Sequence, residues 1–137
     1  MRDIKYLVIH CAATKPSMTV DVDRVRRWHL DRGWSDIGYH FYIRQNGMLE
    51  IGRPVEISGA HVKGYNSNSI GICYEGGLDE DGEPFDTRTC EQKRALMSLL
   101  VTLKAYHPEA IIQGHKDFPR VSKACPSFDA KNEYKEL

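Results

Sequence analysis

Long apolar runs are missing from this chain. The longest spans only a few residues, against the roughly 20 needed to cross a bilayer, so no membrane-spanning helix is expected. An excess of either charge is missing too. Lys plus Arg and Asp plus Glu each number 19, and no sequence-wide cationic field exists to hold a nucleic acid or an anionic membrane. Neither partner is expected. The first ten residues carry charges at Arg2, Asp3 and Lys5 and an unbroken apolar run of only four residues before His10, which does not make a secretory h-region. Paired CxxC motifs are absent as well. The four cysteines, Cys11, Cys73, Cys90 and Cys125, could pair in three ways, but a chain of 137 residues that is 41% hydrophobic can fold without staples, and reduced thiols are expected. Repeats, low-complexity tracts and clustered Pro or Gly are lacking, so residues 1–137 read as one domain with one core.

What is present alternates between strand and helix patterns. Residues 4–9 form a short β-rich apolar run that delivers His10 to its C-terminal end. Over residues 20–32, Val22, Val25, Trp28 and His29 recur at helical spacing, with Gly33 as the stop. Residues 39–44 and 48–52 flank Gln45-Asn46-Gly47, a hairpin signal. Residues 69–75 are a further strand, ended by Gly76-Gly77. Thr89 and Gln92 fit a capping box that opens a helix whose apolar face is Leu96, Leu99, Leu100 and Leu103, stopped at His107-Pro108. Residues 110–115 repeat the first pattern and again end in a histidine. The expected architecture is α/β: a single domain with a mixed central sheet flanked by helices.

Two strands that end in histidine bring His10 and His115 into consideration together with Cys125. Two imidazoles and a thiolate match a catalytic zinc site, in which three protein ligands leave a fourth position for water. Spacing alone is a weak signal, since the separations along the chain match no local zinc pattern. Ordinary buried histidines and an inert thiol remain the alternative at this stage.

The segments 114–119 (Gly-His-Lys-Asp-Phe-Pro) and 123–129 (Lys-Ala-Cys-Pro-Ser-Phe-Asp) resemble the C-terminal signature of the zinc-dependent N-acetylmuramoyl-L-alanine amidases. That family includes amidase-type phage lysozymes and peptidoglycan recognition proteins. Residues 8–14 (Val-Ile-His-Cys-Ala-Ala-Thr) resemble its first metal-ligand motif, residues 34–41 the start of its hairpin, and residues 59–72 its cleft segment. The resemblance implies His10, His115 and Cys125 as zinc ligands at one edge of the sheet, with Tyr39 and Lys123 as catalytic partners. His61, with Asn66 and Asn68, offers hydrogen bonds suited to a sugar or peptide substrate, although Asn, Gly and Ser in such a stretch serve equally as turn chemistry. His29, His40 and His107 are not expected to ligate. Cys11 follows a ligand, should point to the opposite side of an extended chain, and reads as a buried small residue.

By the same resemblance the activity is hydrolysis of the amide between the lactyl group of N-acetylmuramic acid and the L-alanine of the stem peptide. Zinc would activate water near neutral pH, Lys123 would meet the oxyanion, and Tyr39 would orient water or relay its proton. Two other readings stay open. One is a non-catalytic module that binds peptidoglycan or muropeptides, which typically lacks the ligand cysteine. The other is a cysteine hydrolase with Cys11 or Cys125 as nucleophile and His115 as base. A monomer made in the cytoplasm, the host's if phage-encoded, and acting on the wall after release is expected.

Overall fold

A computed structural model describes residues 2–137. The chain runs through β1 (Tyr6–Cys11), α1 (Val22–Asp31), β2 (Phe41–Ile43), β3 (Leu49–Ile51), β4 (Ser69–Tyr74), α2 (Cys90–Tyr106), β5 (Ile111–Gly114) and α3 (Ala130–Glu133), with 3-10 turns at Asn66–Asn68 and His115–Asp117. The strands form one sheet in the order β3-β2-β4-β1-β5. β1 lies parallel to both β4 and β5, β2 is parallel to β4, and β3 is antiparallel to β2, so the sheet is mixed, as expected.

Strand alternation sorts the side chains. Leu7, Ile9 and Cys11 of β1 join Ile70, Ile72 and Tyr74 of β4 on one face, where Leu96, Leu99, Leu100 and Leu103 of α2 and Ala130 of α3 cover them. On the other face α1 packs Val22 and Val25 against Ile37, Tyr42 and Cys73, while Val8 meets Val62 and Phe118. The result is a sheet with helices on both sides, and no described helix is long and apolar enough to cross a membrane.

The local signals explain the boundaries. Asp21 caps α1 by accepting from the Arg24 N–H at 2.9 Å, and Gly33 takes the left-handed conformation just beyond the helix, at φ 90°. The capping box at α2 forms with both of its bonds, between Thr89 and Gln92. At the hairpin the Asn46 side chain accepts from the Met48 N–H, and Gly47 sits at φ 87°.

Three differences matter. β1 continues through Cys11, because β4 pairs with it as far as Cys11 and Tyr74, so His10 lies inside a strand instead of beyond it. The hairpin strands are only three residues each. α3 was not foreseen: four residues are too few for a helical apolar period, and Asp129 capping and burial of Ala130 hold it.

Candidate metal centre

Because β1 and β5 are parallel neighbours, their carboxyl ends coincide. His10, near the end of β1, and His115, the first residue after β5, stand with ring centroids 4.7 Å apart. Cys125 arrives from the loop that follows. That loop is fastened by the Lys116 N–H donating to the Cys125 carbonyl at 2.9 Å, and the Cys11 N–H donates to Cys125 Sγ at 3.2 Å. The donor atoms of His10, His115 and Cys125 all lie within 4.8 Å of one another. Zinc bonds of about 2.0–2.3 Å place tetrahedral donors roughly 3.5 Å apart, so a small contraction fits the three around one ion. A set of two imidazoles and a thiolate, with no carboxylate, suits zinc in softness as well.

The protonation states agree with that use. Burial above all, then the neighbouring rings of His61 and His115 and the Lys123 ammonium, hold His10 well below the ordinary histidine value. Burial followed by Lys123 lowers His115. Both imidazoles are therefore neutral at pH 7, the form that ligates. In the chain by itself the hydrogen bond between the two thiols brings Cys11 down to about 7 and pushes Cys125 up, with burial adding to the latter. A dication against Cys125 would reverse that order, since it stabilises the adjacent thiolate directly.

Behind His10 runs a chain of polar contacts that sequence reasoning missed. Nδ1 of His10 faces Cys125 Sγ at 3.8 Å, and Nε2 meets Nδ1 of His61 at 2.8 Å. Nε2 of His61 in turn meets Ser69 Oγ at 3.1 Å. With His10 Nδ1 as the ligating atom, Nε2–H donates to His61, which donates to Ser69, so a single tautomer pattern runs through all three. Room for the His61 ring comes from Gly71, where a Cβ would fall 2.7 Å from it. Both ring nitrogens of His61 are thus engaged, and a hydrogen bond from it to substrate would break one of these contacts. The only sequence signal for this was a glycine in a strand.

The other expected residues are divided. Tyr39 stands beside His10, ring centroids 5.0 Å apart, and burial, followed by the nearby thiols, pushes its hydroxyl well above the ordinary tyrosine value. Lys123 is exposed at the cleft, close enough to lower both His10 and His115. The Asn66 side chain accepts from the N–H groups of His61 and Val62, both at 2.8 Å, and so shapes the turn. Asn68 lies outside the cleft, with its Oδ1 buried and unpartnered among the described residues. His29 and His40 keep away from the metal position: Nδ1 of each accepts a backbone N–H, from Gly38 and Gly71 respectively. Cys11 does point to the opposite face, yet its backbone N–H donates to Cys125 Sγ at 3.2 Å, because Cys125 lies beyond the strand end instead of on one side of it.

These groups open into a cleft of about 630 Å³ walled by α1 on one part of its rim, through Val25, Trp28 and Arg32, and by Trp34, Val62 and Lys63 elsewhere. The fold and site together define an α/β domain with a His-His-Cys group that could hold a metal ion at the carboxyl ends of parallel strands, facing the cleft. The family model of the N-acetylmuramoyl-L-alanine amidases matches residues 1–128, and the chain belongs to that family. It is 47% identical to the endolysin of Klebsiella phage KP32 over 130 residues, covering 95% of this chain and 85% of that one. It is 48% identical to the endolysin of Escherichia phage T7 over 126 residues, covering 91% and 82%. Among solved structures, the N-acetylmuramoyl-L-alanine amidase LysC from Clostridium intestinale URNW superposes with a TM-score of 0.81 at 30% identity, covering 96% of this chain and 82% of that one.

Proposed function

We propose that residues 1–137 form a zinc-dependent N-acetylmuramoyl-L-alanine amidase domain that cuts the bond between the lactyl group of N-acetylmuramic acid and L-alanine in peptidoglycan. The observation that carries this reading is the convergence of His10, His115 and Cys125 within 4.8 Å, with Tyr39 and Lys123 at the same cleft. Cys125 occupies the ligand position that purely binding modules typically lack. When bound by these three residues, zinc supplies Lewis acidity, polarising a carbonyl and lowering the pKa of water.

The chain's own groups do the rest. Attack on the amide carbon develops negative charge on the carbonyl oxygen, and the Lys123 ammonium, on the loop of a ligand, offsets it in the transition state. Tyr39 stays protonated at neutral pH, so its hydroxyl can donate to the reacting oxygen or pass a proton toward the leaving amine, which must be protonated to depart. The His10–His61–Ser69 chain holds the first ligand in one orientation and tautomer.

Purified peptidoglycan treated with the protein should release stem peptides that begin with free L-alanine, identified by mass spectrometry. A chelator should abolish release and zinc should restore it. Release that survives chelation would instead favour the cysteine hydrolase. Cys125→Ser should lose both metal and activity, because a hydroxyl is a much poorer ligand than a thiolate.

A further inference from the structure

Asp and Glu contribute 19 of the 137 residues, yet none of them lines the cleft. Three cations do: Arg32, Lys63 and Lys123. Elsewhere the chain pairs its charges, with Arg26, Arg44 and Arg88 between them engaging Asp23, Asp36, Glu50, Glu75, Asp86 and Glu133. None of the cleft cations has such a carboxylate partner among the described residues. In a molecule of zero formal charge this is a local sorting of sign, and it gives the cleft a positive field that an anionic ligand would neutralise.

The three cations come from separate segments. Lys123 is two residues from Cys125 and lines the same cleft as His10, His115 and Cys125, at the metal end. Arg32 caps the C-terminal end of α1, and its charge acts on His29 and Tyr39. Its guanidinium lies over the Trp34 ring, 5.6 Å from the centroid, a contact that orients the planar fork while leaving its N–H edge free. Lys63 is exposed, just after His61 and Val62, in a third segment. Lys123 has a role at the reacting carbonyl, but no step of bond cleavage uses Arg32 or Lys63.

We infer that Arg32 and Lys63 determine specificity by binding free carboxylates of the stem peptide, so that the preferred substrate is an anionic muropeptide with unamidated acid groups. This rests on the amidase reading for the identity of the substrate. Arg32 is the one suited to a bidentate grip on a planar carboxylate, and Lys63 acts as a point charge that can follow a flexible peptide. An amide of the same shape keeps the volume of the carboxylate but loses the charge, and it turns one acceptor into a donor that faces a cation.

The test uses two soluble muropeptides of identical sequence, one with free carboxylates and one with the same groups amidated. The wild-type protein should show kcat/KM roughly tenfold or more higher on the free acid, the scale of one or two partly screened ion pairs. R32Q and K63Q should each lower kcat/KM on the free acid by about twofold to fivefold and bring the two substrates together. Lys131→Gln, on α3 and outside the cleft, is the control and should alter neither value. Equal wild-type kcat/KM on the two substrates, or equal losses on both in R32Q and K63Q, would overturn the inference. Titration calorimetry on the same ligands decides it without turnover. Binding of the free acid should weaken with rising salt and with either substitution, and binding that ignores both counts against carboxylate recognition. Failure to cut either substrate would sink the amidase reading alone, and the binding result would still judge Arg32 and Lys63.

Discussion

On the proposed mechanism, Lys123 and Tyr39 can be separated from His10, His115 and Cys125 by asking what each substitution leaves behind. Lys123→Ala should lower kcat on the order of a hundredfold while zinc stays bound, since the ammonium acts on charge that exists only in the transition state. Tyr39→Phe keeps the ring against His10 and loses only the hydroxyl, so zinc should again be retained while kcat falls by roughly 10- to 1000-fold. Zinc content measured beside turnover checks both, and near-normal turnover in either variant removes that residue from the mechanism. Gly71→Ala tests the polar chain behind His10 instead. A Cβ at 2.7 Å from the His61 ring must displace it, and zinc affinity should fall by about tenfold to a hundredfold, the usual cost of losing a partner of a ligating histidine. Competition against a chromogenic chelator measures this, with circular dichroism confirming that the fold persists; unchanged affinity would mean that His61 does not hold His10 in place. The grouping of His10, His115 and Cys125 was legible because the three sit in contiguous motifs. His61's contacts were not, since they depend on β4 presenting Gly71 and Ser69 beside it, a matter of register that a sequence does not display.

Among the elements, the capped helices and the Asn-Gly hairpin were readable from local chemistry, because each signal is complete within a few residues. The short α3 was not, because its hold on the domain is tertiary. Arg88, whose side chain is 1% exposed, donates to both Asp86 and Glu133, bonds the Tyr134 hydroxyl, and lies 3.4 Å over the Phe128 ring. One buried guanidinium thus joins the loop before α2 to both the start and the end of the last helical segment. Arg88→Ala should destabilise the protein by about 3 kcal/mol, toward the lower end for a broken buried ion pair because Asp86 and Glu133 can recover some hydration. Denaturant unfolding measures the loss, and a change below about 0.5 kcal/mol, the size of an ordinary surface substitution, would show that α3 docks without it.

For the molecule as a whole, the buried histidines couple stability to pH. His29 and His40 are lowered to about 4, mainly by burial, with Arg53 adding to both. Each accepts a backbone N–H at Nδ1, a bond available only to the neutral ring. Their folded values lie below the unfolded value near 6.5, so between about 4 and 6.5 the unfolded chain binds more protons. Stability is therefore full above pH 6.5 and is lost as the pH falls toward 4, by roughly 2 kcal/mol for each histidine at pH 5. Urea unfolding of chelator-treated protein should show a clearly lower midpoint at pH 5 than at pH 7.5, and His29 and His40 should show no titration above pH 5 by NMR. A constant midpoint would contradict the buried neutral state. The α/β class and single domain were evident from the alternation of patterns and the chain length, but strand order was not, because pairing β1 between β4 and β5 joins segments far apart in the chain.

The three donors differ in how they are anchored. His10 is carried by an interior strand and His115 by the end of the strand beside it, whereas Cys125 hangs from a loop, held by the Lys116 N–H on its carbonyl and the Cys11 N–H on its Sγ. Two jaws are therefore rigid and one is compliant. A vice built that way sets its gauge from the sheet and lets the loop take up the remaining tolerance. Insertions or deletions between His115 and Cys125 should thus be absorbed as slack, while a one-residue slip of β1 would turn His10 to the opposite face and dismantle the grip.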